Sequence, residues 1–251
     1  MVQDFLERAD SISDPPAPPD FDRLRRNWEN FGRTDPMWAI LTQAGTEGGG
    51  WNEQAFFATG VEFVGWIGAW CDEHHIAVPT GDALDFGCGI GRLTQAMAPH
   101  FTSVTGVDVS QPMIDLAREK NSHGGSVRYI CNTRPDLFEF SDGSFDFILS
   151  AIVLQHMRPV YSLRYIGEFL RILRPGGLLF FQIATAELNP GAAPAAPAKE
   201  APGEAHMEMH CTPVQDTRVV LKIGGGKVLR EEPDRWAGDG WESVHFAVRR
   251  N

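Results

Sequence analysis

The stretch ALDFGCGIGRLT, residues 83–94, sets three glycines at alternate positions, Gly87, Gly89 and Gly91. A short apolar run holding one acid, Asp85, precedes them. Such a run, ended by glycine, reads as a strand buried on both faces. RLTQAMAPHF follows with helical periodicity. A strand that ends in a bare turn and opens a helix anchors a ligand, because the backbone can approach closely and free N–H groups point from the helix start. A dinucleotide turn requires G-x-G-x-x-G. Counted from Gly87 and Gly89, the third glycine is due at Arg92 but stands at Gly91. The pyrophosphate fingerprint fails by one position, which argues against a nicotinamide-dependent dehydrogenase.

Asp108 ends the next strand, about twenty residues on, where such folds hold a ribose diol. A carboxylate there accepts two charge-assisted hydrogen bonds from hydroxyls. The implied ligand is a ribonucleoside without a pyrophosphate, and Asp85 suits one that carries positive charge. S-adenosylmethionine has a ribose, an adenine, an amino group and a sulfonium.

Outward from this point, SVTGVDV, VRYICN, FDFILSA and LLFFQIA read as further strands, with helices at SQPMIDLAREKN (N-cap Ser110) and YSLRYIGEFLRIL, the latter closed by RPGG. Strand–helix alternation implies a parallel sheet covered on both faces. TPVQDTRVVLKIGGG reads as a helix, with Thr212 and Gln215 as a capping box and Pro213 at its first position. KVLREE and WESVHFAVRR alternate as a terminal strand pair. The expectation is an α/β fold: a seven-stranded, mostly parallel, doubly wound sheet with an N-terminal helical cap. The cap spans 1–80 and the ligand-binding domain 81–251. A flexible Ala/Pro-rich loop at 188–205 is too poor in apolar residues to order itself. Within the cap, DPPAPPD is read as non-helical because of its prolines. FDRLRRNWENFG is a short helix stopped by Gly32, DPMWAILTQ starts at an Asp35 N-cap, and a long apolar helix runs from Asn52 to Ile76.

The 251 residues hold 22 Lys plus Arg against 33 Asp plus Glu, a net charge of −11. That balance repels phosphate backbones, so nucleic acid is not an expected partner. Arg23, Arg25 and Arg26 read as a solvated helix face. The four cysteines, Cys71, Cys88, Cys131 and Cys211, form no CxxC pair. They signal neither a zinc site nor a redox dithiol. The N-terminus lacks the apolar core of a signal peptide, and no apolar run reaches membrane-spanning length. A cytoplasmic protein, monomeric or homodimeric, is expected.

Residues 82–184 resemble the class I S-adenosylmethionine-dependent methyltransferases. LDFGCGIGRLT resembles that family's D/E-x-G-x-G-x-G motif. VTGVDVSQPMIDLARE, FSDGSFDFILSAIVLQHM and LRILRPGGLLFFQ resemble its second, fourth-strand and fifth-strand motifs, in the family's order. The resemblance implies S-adenosyl-L-methionine as cofactor and S-adenosyl-L-homocysteine as product. It assigns Gly87, Cys88, Gly89 and Gly91 to the turn beneath the methionine part, Asp85 to the amino group and Asp108 to the ribose hydroxyls. Val109 and Met113 then lie against adenine. The family's acid after the third strand is replaced here by Asn132, followed by Thr133, so the contact to the adenine amino group loses its charge. Ser150 and Gln155 complete the cofactor side. FGRTDPMWAIL…FFATG resembles an N-terminal pattern in one bacterial branch of the family, which sets Trp38, Phe56, Phe57 and Thr59 over the acceptor.

The implied acceptor is a small molecule, first of all a hydroxyl oxygen of a sugar or secondary metabolite. Nitrogen and carbon acceptors, and a non-catalytic nucleoside binder, are the alternatives. A hydroxyl must lose a proton, and His156, just past the fourth strand, stands where ligands bind in open α/β sheets and titrates near neutral pH. His206 and His210 lie four apart in HMEMHC but lack a third ligand, so no metal site is assigned. An assisting magnesium ion is compatible with the pattern but is not indicated by any spacing.

Overall fold

The computed structural model describes residues 18–188 and 207–251. Except for Leu188, the loop expected at 188–205 lies outside these residues, as does His206.

Seven strands form one sheet: β1 (Asp82–Phe86), β2 (Ser103–Asp108), β3 (Val127–Cys131), β4 (Phe145–Ser150), β5 (Leu173–Glu187), β6 (Gly226–Asp234) and β7 (Trp241–Arg250). Their order is β3-β2-β1-β4-β5-β7-β6. The first five strands are parallel, and β7 runs antiparallel between β5 and β6. The chain winds outward from β1 to β3, then returns to lay β4 beside β1. The order reverses at β1/β4, and in such sheets the crevice beyond the strand ends at that reversal is where a ligand binds.

Helices cover both faces. α3 (Glu53–Glu73), α4 (Arg92–Met97) and α5 (Gln111–Glu119) lie on one side. There Ile67, Trp70, Leu93, Met97 and Ile114 pack with Ala83, Val104, Phe147 and Phe180 of the sheet. α6 (Pro159–Ile172) and α7 (Val214–Ile223) cover the other. Tyr165, Ile166, Phe169 and Leu170 recur at helical spacing in α6, and this stripe meets Leu84, Ile148, Leu179 and Phe181. Each such side chain, fully buried, contributes about 1.5–3 kcal/mol. α1 (Pro19–Thr34) and α2 (Pro36–Ile40) close the C-terminal end of the sheet. Their Phe31 and Ala39 pack with Phe56, Ile90 and Met113. No helix among the described residues is long and apolar enough to cross a membrane.

Several local expectations are corrected. α1 begins inside the proline stretch, with Pro18 as N-cap and Pro19 in the first turn. A proline there lacks only an N–H that the helix would leave unpaired anyway. Gly32 does not stop α1: a Cβ at Gly32 would stand 3.0 Å from Pro112 Cβ and from Ser110 Oγ. Its smallness lets α1 lie close on the start of α5. Asp35 is the N-cap of α2 but makes no side-chain cap bond. Its carboxylate accepts instead from Gly48 N (2.6 Å) and Gly49 N (3.2 Å). The Thr212/Gln215 capping box is absent: Pro213 is the N-cap of α7, with no side-chain cap bond. Thr212 Oγ1 is buried without a partner. Ser110 caps α5 as expected, accepting from Met113 N, and Asn52 caps α3, accepting from Ala55 N.

Candidate functional site

The glycine turn closes the crevice from below. Gly87 N and Cys88 N both donate to Val107 O, at 2.8 and 3.0 Å. Gly87 and Gly91 have φ of +76° and +88°, a left-handed backbone that side chains rarely adopt. Space forbids a side chain as well. A Cβ at Gly87 would lie 2.3 Å from Val153 Cγ2, and one at Gly91 2.3 Å from the Tyr129 hydroxyl. At Gly89 the Ile40 side chain of α2 occupies that place, 2.4 Å from an added Cβ.

Two acids face this turn. Asp85 is buried and accepts from Thr94 Oγ1 at 2.6 Å. Its burial pushes its carboxyl up to about 6, against the pull of the Thr94 hydrogen bond and the Arg92 charge. Asp108 accepts from Gly89 N through Oδ2 and from Ser110 N through Oδ1, both at 2.9 Å. Burial raises its pKa, and these N–H groups draw it back. Each carboxylate oxygen spends one lone pair on backbone and keeps another for a ligand hydroxyl.

The cavity over the turn has an empty volume of about 890 Å³, including its open mouth. Its wall brings together Asp85, Gly87, Cys88, Gly89, Asp108, Val109, Met113, Asn132 and His156. Gly91, Thr133, Ser150 and Gln155 are not part of it. Gly91 stands behind the turn as the N-cap of α4. Thr133 is exposed, and Ser150 is buried with an unpartnered Oγ. Asn132 spends its amide on its own loop, donating to Asp136 O and accepting from Arg134 N. Trp38, Phe56, Phe57 and Thr59 are likewise absent from the wall. Phe21, Leu24 and Trp28 of α1 stand there instead, with Ile40 of α2. Thr59 acts through a neighbour, since its Oγ1 accepts from Arg92 at 3.3 Å.

Arg92 was legible only as the place where a third glycine was missing. It lines the cavity, is 4% exposed and has an unpartnered Nε. Burial lowers its pKa to about 10, and the Asp85 charge opposes that. A cation in the first turn also opposes the helix dipole. That conflict with helix design is the sequence signal that singles it out as a candidate site residue.

The loop after β4 forms the far wall. Ile152 has a φ of +62°, strained for a β-branched residue. Its N–H donates to Gln182 Oε1 at 3.2 Å. His156 lies edge-to-face on Trp28, with ring centroids 5.2 Å apart. Its Nδ1 donates to Glu208 O at 2.9 Å. Burial lowers its pKa from 6.5 to about 4, opposed by the Glu208 hydrogen bond. Contrary to the expectation from its residue type, His156 does not titrate near neutral pH: burial keeps it neutral at physiological pH, with Nε2 as its unprotonated nitrogen.

That shift is also a term in stability. A depressed folded-state pKa gives a contribution intact above pH 6.5 and lost as pH falls toward 4, because only the unfolded chain then takes up the proton. Between pH 6.5 and 5 the wild type should lose about 2 kcal/mol relative to His156→Gln in urea denaturation. Parallel pH profiles for the two proteins would show that His156 is not shielded.

A family model described as a methyltransferase domain matches residues 84–181. Nodulation protein S of Rhizobium tropici is 33% identical over 105 residues, covering 41% of this chain and 43% of that protein. A ubiquinone biosynthesis O-methyltransferase of Pseudomonas aeruginosa is 33% identical over 124 residues, covering 49% of this chain and 51% of that protein. The chain spans about half the length of these curated relatives. Among solved structures, magnesium protoporphyrin IX methyltransferase from Synechocystis, with bound S-adenosylhomocysteine, gives a TM-score of 0.66 at 18% identity, covering 92% of this chain and 100% of that one. A (4+2)-cyclase gives 0.60 at 18% identity, covering 95% and 99%. These likenesses show a shared fold.

Proposed function

We propose that this chain, which carries a class I methyltransferase domain over residues 84–181, moves a methyl group from S-adenosylmethionine to a hydroxyl of a small, largely apolar metabolite. The observation that carries the reading is one cavity wall holding the side-chain-free turn, the Asp108 carboxylate and the buried Arg92 guanidinium. S-adenosylmethionine, when bound, supplies an electrophilic methyl on a sulfonium.

The chain's own residues fit that ligand. Asp108 takes the ribose hydroxyls with its free lone pairs, and Val109 and Met113 flank the adenine. Arg92, unpartnered at Nε, meets the methionine carboxylate, a charge-assisted bond that repays its burial. Asp85 faces the amino group. Asn132 lines the adenine side, but with its amide already bonded to Asp136 O and Arg134 N it is left only one N–H and one lone pair for the ligand.

The acceptor side is built from Phe21, Leu24, Trp28, Ile40, Ile152 and Met157. A free sugar would leave most of its hydroxyls unpaired against such a wall. A secondary metabolite with an aromatic or polyketide body suits it better. His156 Nε2 would take the hydroxyl proton as the acceptor oxygen attacks the methyl group that S-adenosylmethionine would supply, with the thioether as leaving group. Alignment of these three atoms supplies most of the acceleration.

A cyclase shares this fold, so the test separates binding from turnover. Calorimetry with S-adenosylhomocysteine should give micromolar binding. Labelled S-adenosylmethionine should then pass its methyl to members of a panel of phenolic and polyketide hydroxyl compounds. Absence of binding overturns the reading entirely, and binding without transfer to any acceptor leaves the non-catalytic binder.

A further inference from the structure

Behind His156 runs a chain of side-chain amides that ends on backbone at both sides. Ile152 N–H can only donate, so the Gln182 atom it meets at 3.2 Å is the amide oxygen. Gln182 Nε2 must then donate, and it does so to Gln155 Oε1 at 3.0 Å. That turns Gln155 Nε2 toward His156 Nε2, 3.4 Å away. An amide N–H facing a ring nitrogen requires that nitrogen to be the unprotonated one. From the other end, Glu208 O accepts from Nδ1 at 2.9 Å and requires Nδ1 to carry the proton. Two independent backbone groups thus specify the same tautomer.

Gln155 and Gln182 are 3% and 0% exposed, so neither amide has water as an alternative partner. Gln182 lies in β5 between the buried Phe181 and Ile183, in a strand otherwise apolar at this point. Its amide also holds Ile152 in its strained conformation, which persists only where surroundings over-determine it.

We infer that Gln182 is a positioning residue: through Gln155 it holds His156 in the tautomer whose Nε2 carries no proton and faces a weak donor, which a substrate hydroxyl would replace. The use of that lone pair rests on the reading of His156 as the base, whereas the relay itself does not. Other charged groups around the ring belong to the 207–212 segment and α1. His210 approaches Glu208 Oε2 at 3.1 Å, and Arg23 pairs with Glu208 at 3.0 Å. The His210 charge lowers the His156 pKa further. These groups are untouched by changes at Gln182.

The experiment is an NMR titration of ¹⁵N-histidine-labelled protein between pH 7 and 4, with the His156 signals identified by their loss in His156→Gln. Wild type should show neutral His156 protonated at Nδ1 and bare at Nε2. A donor on Nε2 favours the neutral ring, so Gln182→Met should raise the His156 midpoint by about 0.5–1 unit, or ~3–10-fold in proton affinity. Gln155→Leu should do the same, and adding Gln182→Met to it should change nothing further. A role in packing alone would let the two shifts add. Should Gln182→Met fail to fold, Gln182→Glu keeps the acceptor for Ile152 N–H and is compared on the wild-type and Gln155→Leu backgrounds. A neutral ring protonated at Nε2, an unmoved midpoint, or a shift that persists in full without Gln155 overturns the inference. Methyl transfer that survives in His156→Gln would refute the base and leave the relay standing.

Discussion

Asp108→Ala is expected to lower the affinity for S-adenosylhomocysteine by ~100–10,000-fold, the largest effect of a single substitution at the site. Two hydroxyl-to-carboxylate hydrogen bonds are lost, each of about 1.5–3 kcal/mol. The same carboxylate also ties down Gly89 N and Ser110 N, so the turn and the start of α5 lose their common anchor. Asp108→Asn separates the two contributions. An amide oxygen still accepts from one N–H but brings no charge, so its affinity should fall between those of wild type and the alanine variant. Calorimetry reads the affinities, and circular dichroism confirms that the variants fold. Binding within threefold of wild type in the alanine variant would mean that the ribose is held elsewhere.

Gly60→Ala is expected to lower Tm by ~3–10 °C, although alanine is the better helix former by about 1 kcal/mol. Gly60 is the contact point of α3 with α4. A Cβ there would stand 2.3 Å from the Arg92 carbonyl oxygen and 3.0 Å from its carbon. Backbone cannot swing aside as a side chain tip can. The helices must part, and overpacking of this kind costs about 1–3 kcal/mol. In a chain of this size each kcal/mol moves Tm by about 2–4 °C. Gly65 in the same helix has no atom within 4 Å of an added Cβ. Gly65→Ala should therefore raise Tm slightly. If both alanines stabilise equally, the α3–α4 contact is looser than described. The displaced carbonyl belongs to Arg92, so Gly60→Ala should also weaken ligand binding.

Much of this molecule is legible in its residues because local chemistry sets it. The β1 run, the left-handed turn and Asp108 lie within one strand–turn–helix–strand unit, where spacing alone brings them together. The terminal strand pair follows from alternation. What escaped reading depends on docking. Trp38, Phe56 and Phe57 have the aromatic character of a substrate wall, yet they pack among themselves and with Phe31 and Trp51. Which face of α1 meets the crevice is decided by the seat of Gly32 on α5, a contact between residues some eighty positions apart. Arg92 and Gln182 share a reason for being hard to read in the sequence. Each is a polar residue inside an otherwise apolar or helical pattern, and only its neighbours in the fold show that Arg92 lines the cavity and that Gln182 bonds to the loop behind it.

The two walls of the cavity have separate origins along the chain. Residues 84–181 supply the glycine turn, both acids and the His156 loop, whereas the apolar wall of Phe21, Leu24 and Trp28 lies upstream of that span. Change at Phe21 or Leu24 can therefore reshape the chamber while the glycine turn and both acids keep their residues. On the proposed reading, such a layout separates the donor side from the acceptor side. It makes the short N-terminal segment, not the well-matched core, the place to look for divergence in substrate choice and the place to graft when a new choice is wanted.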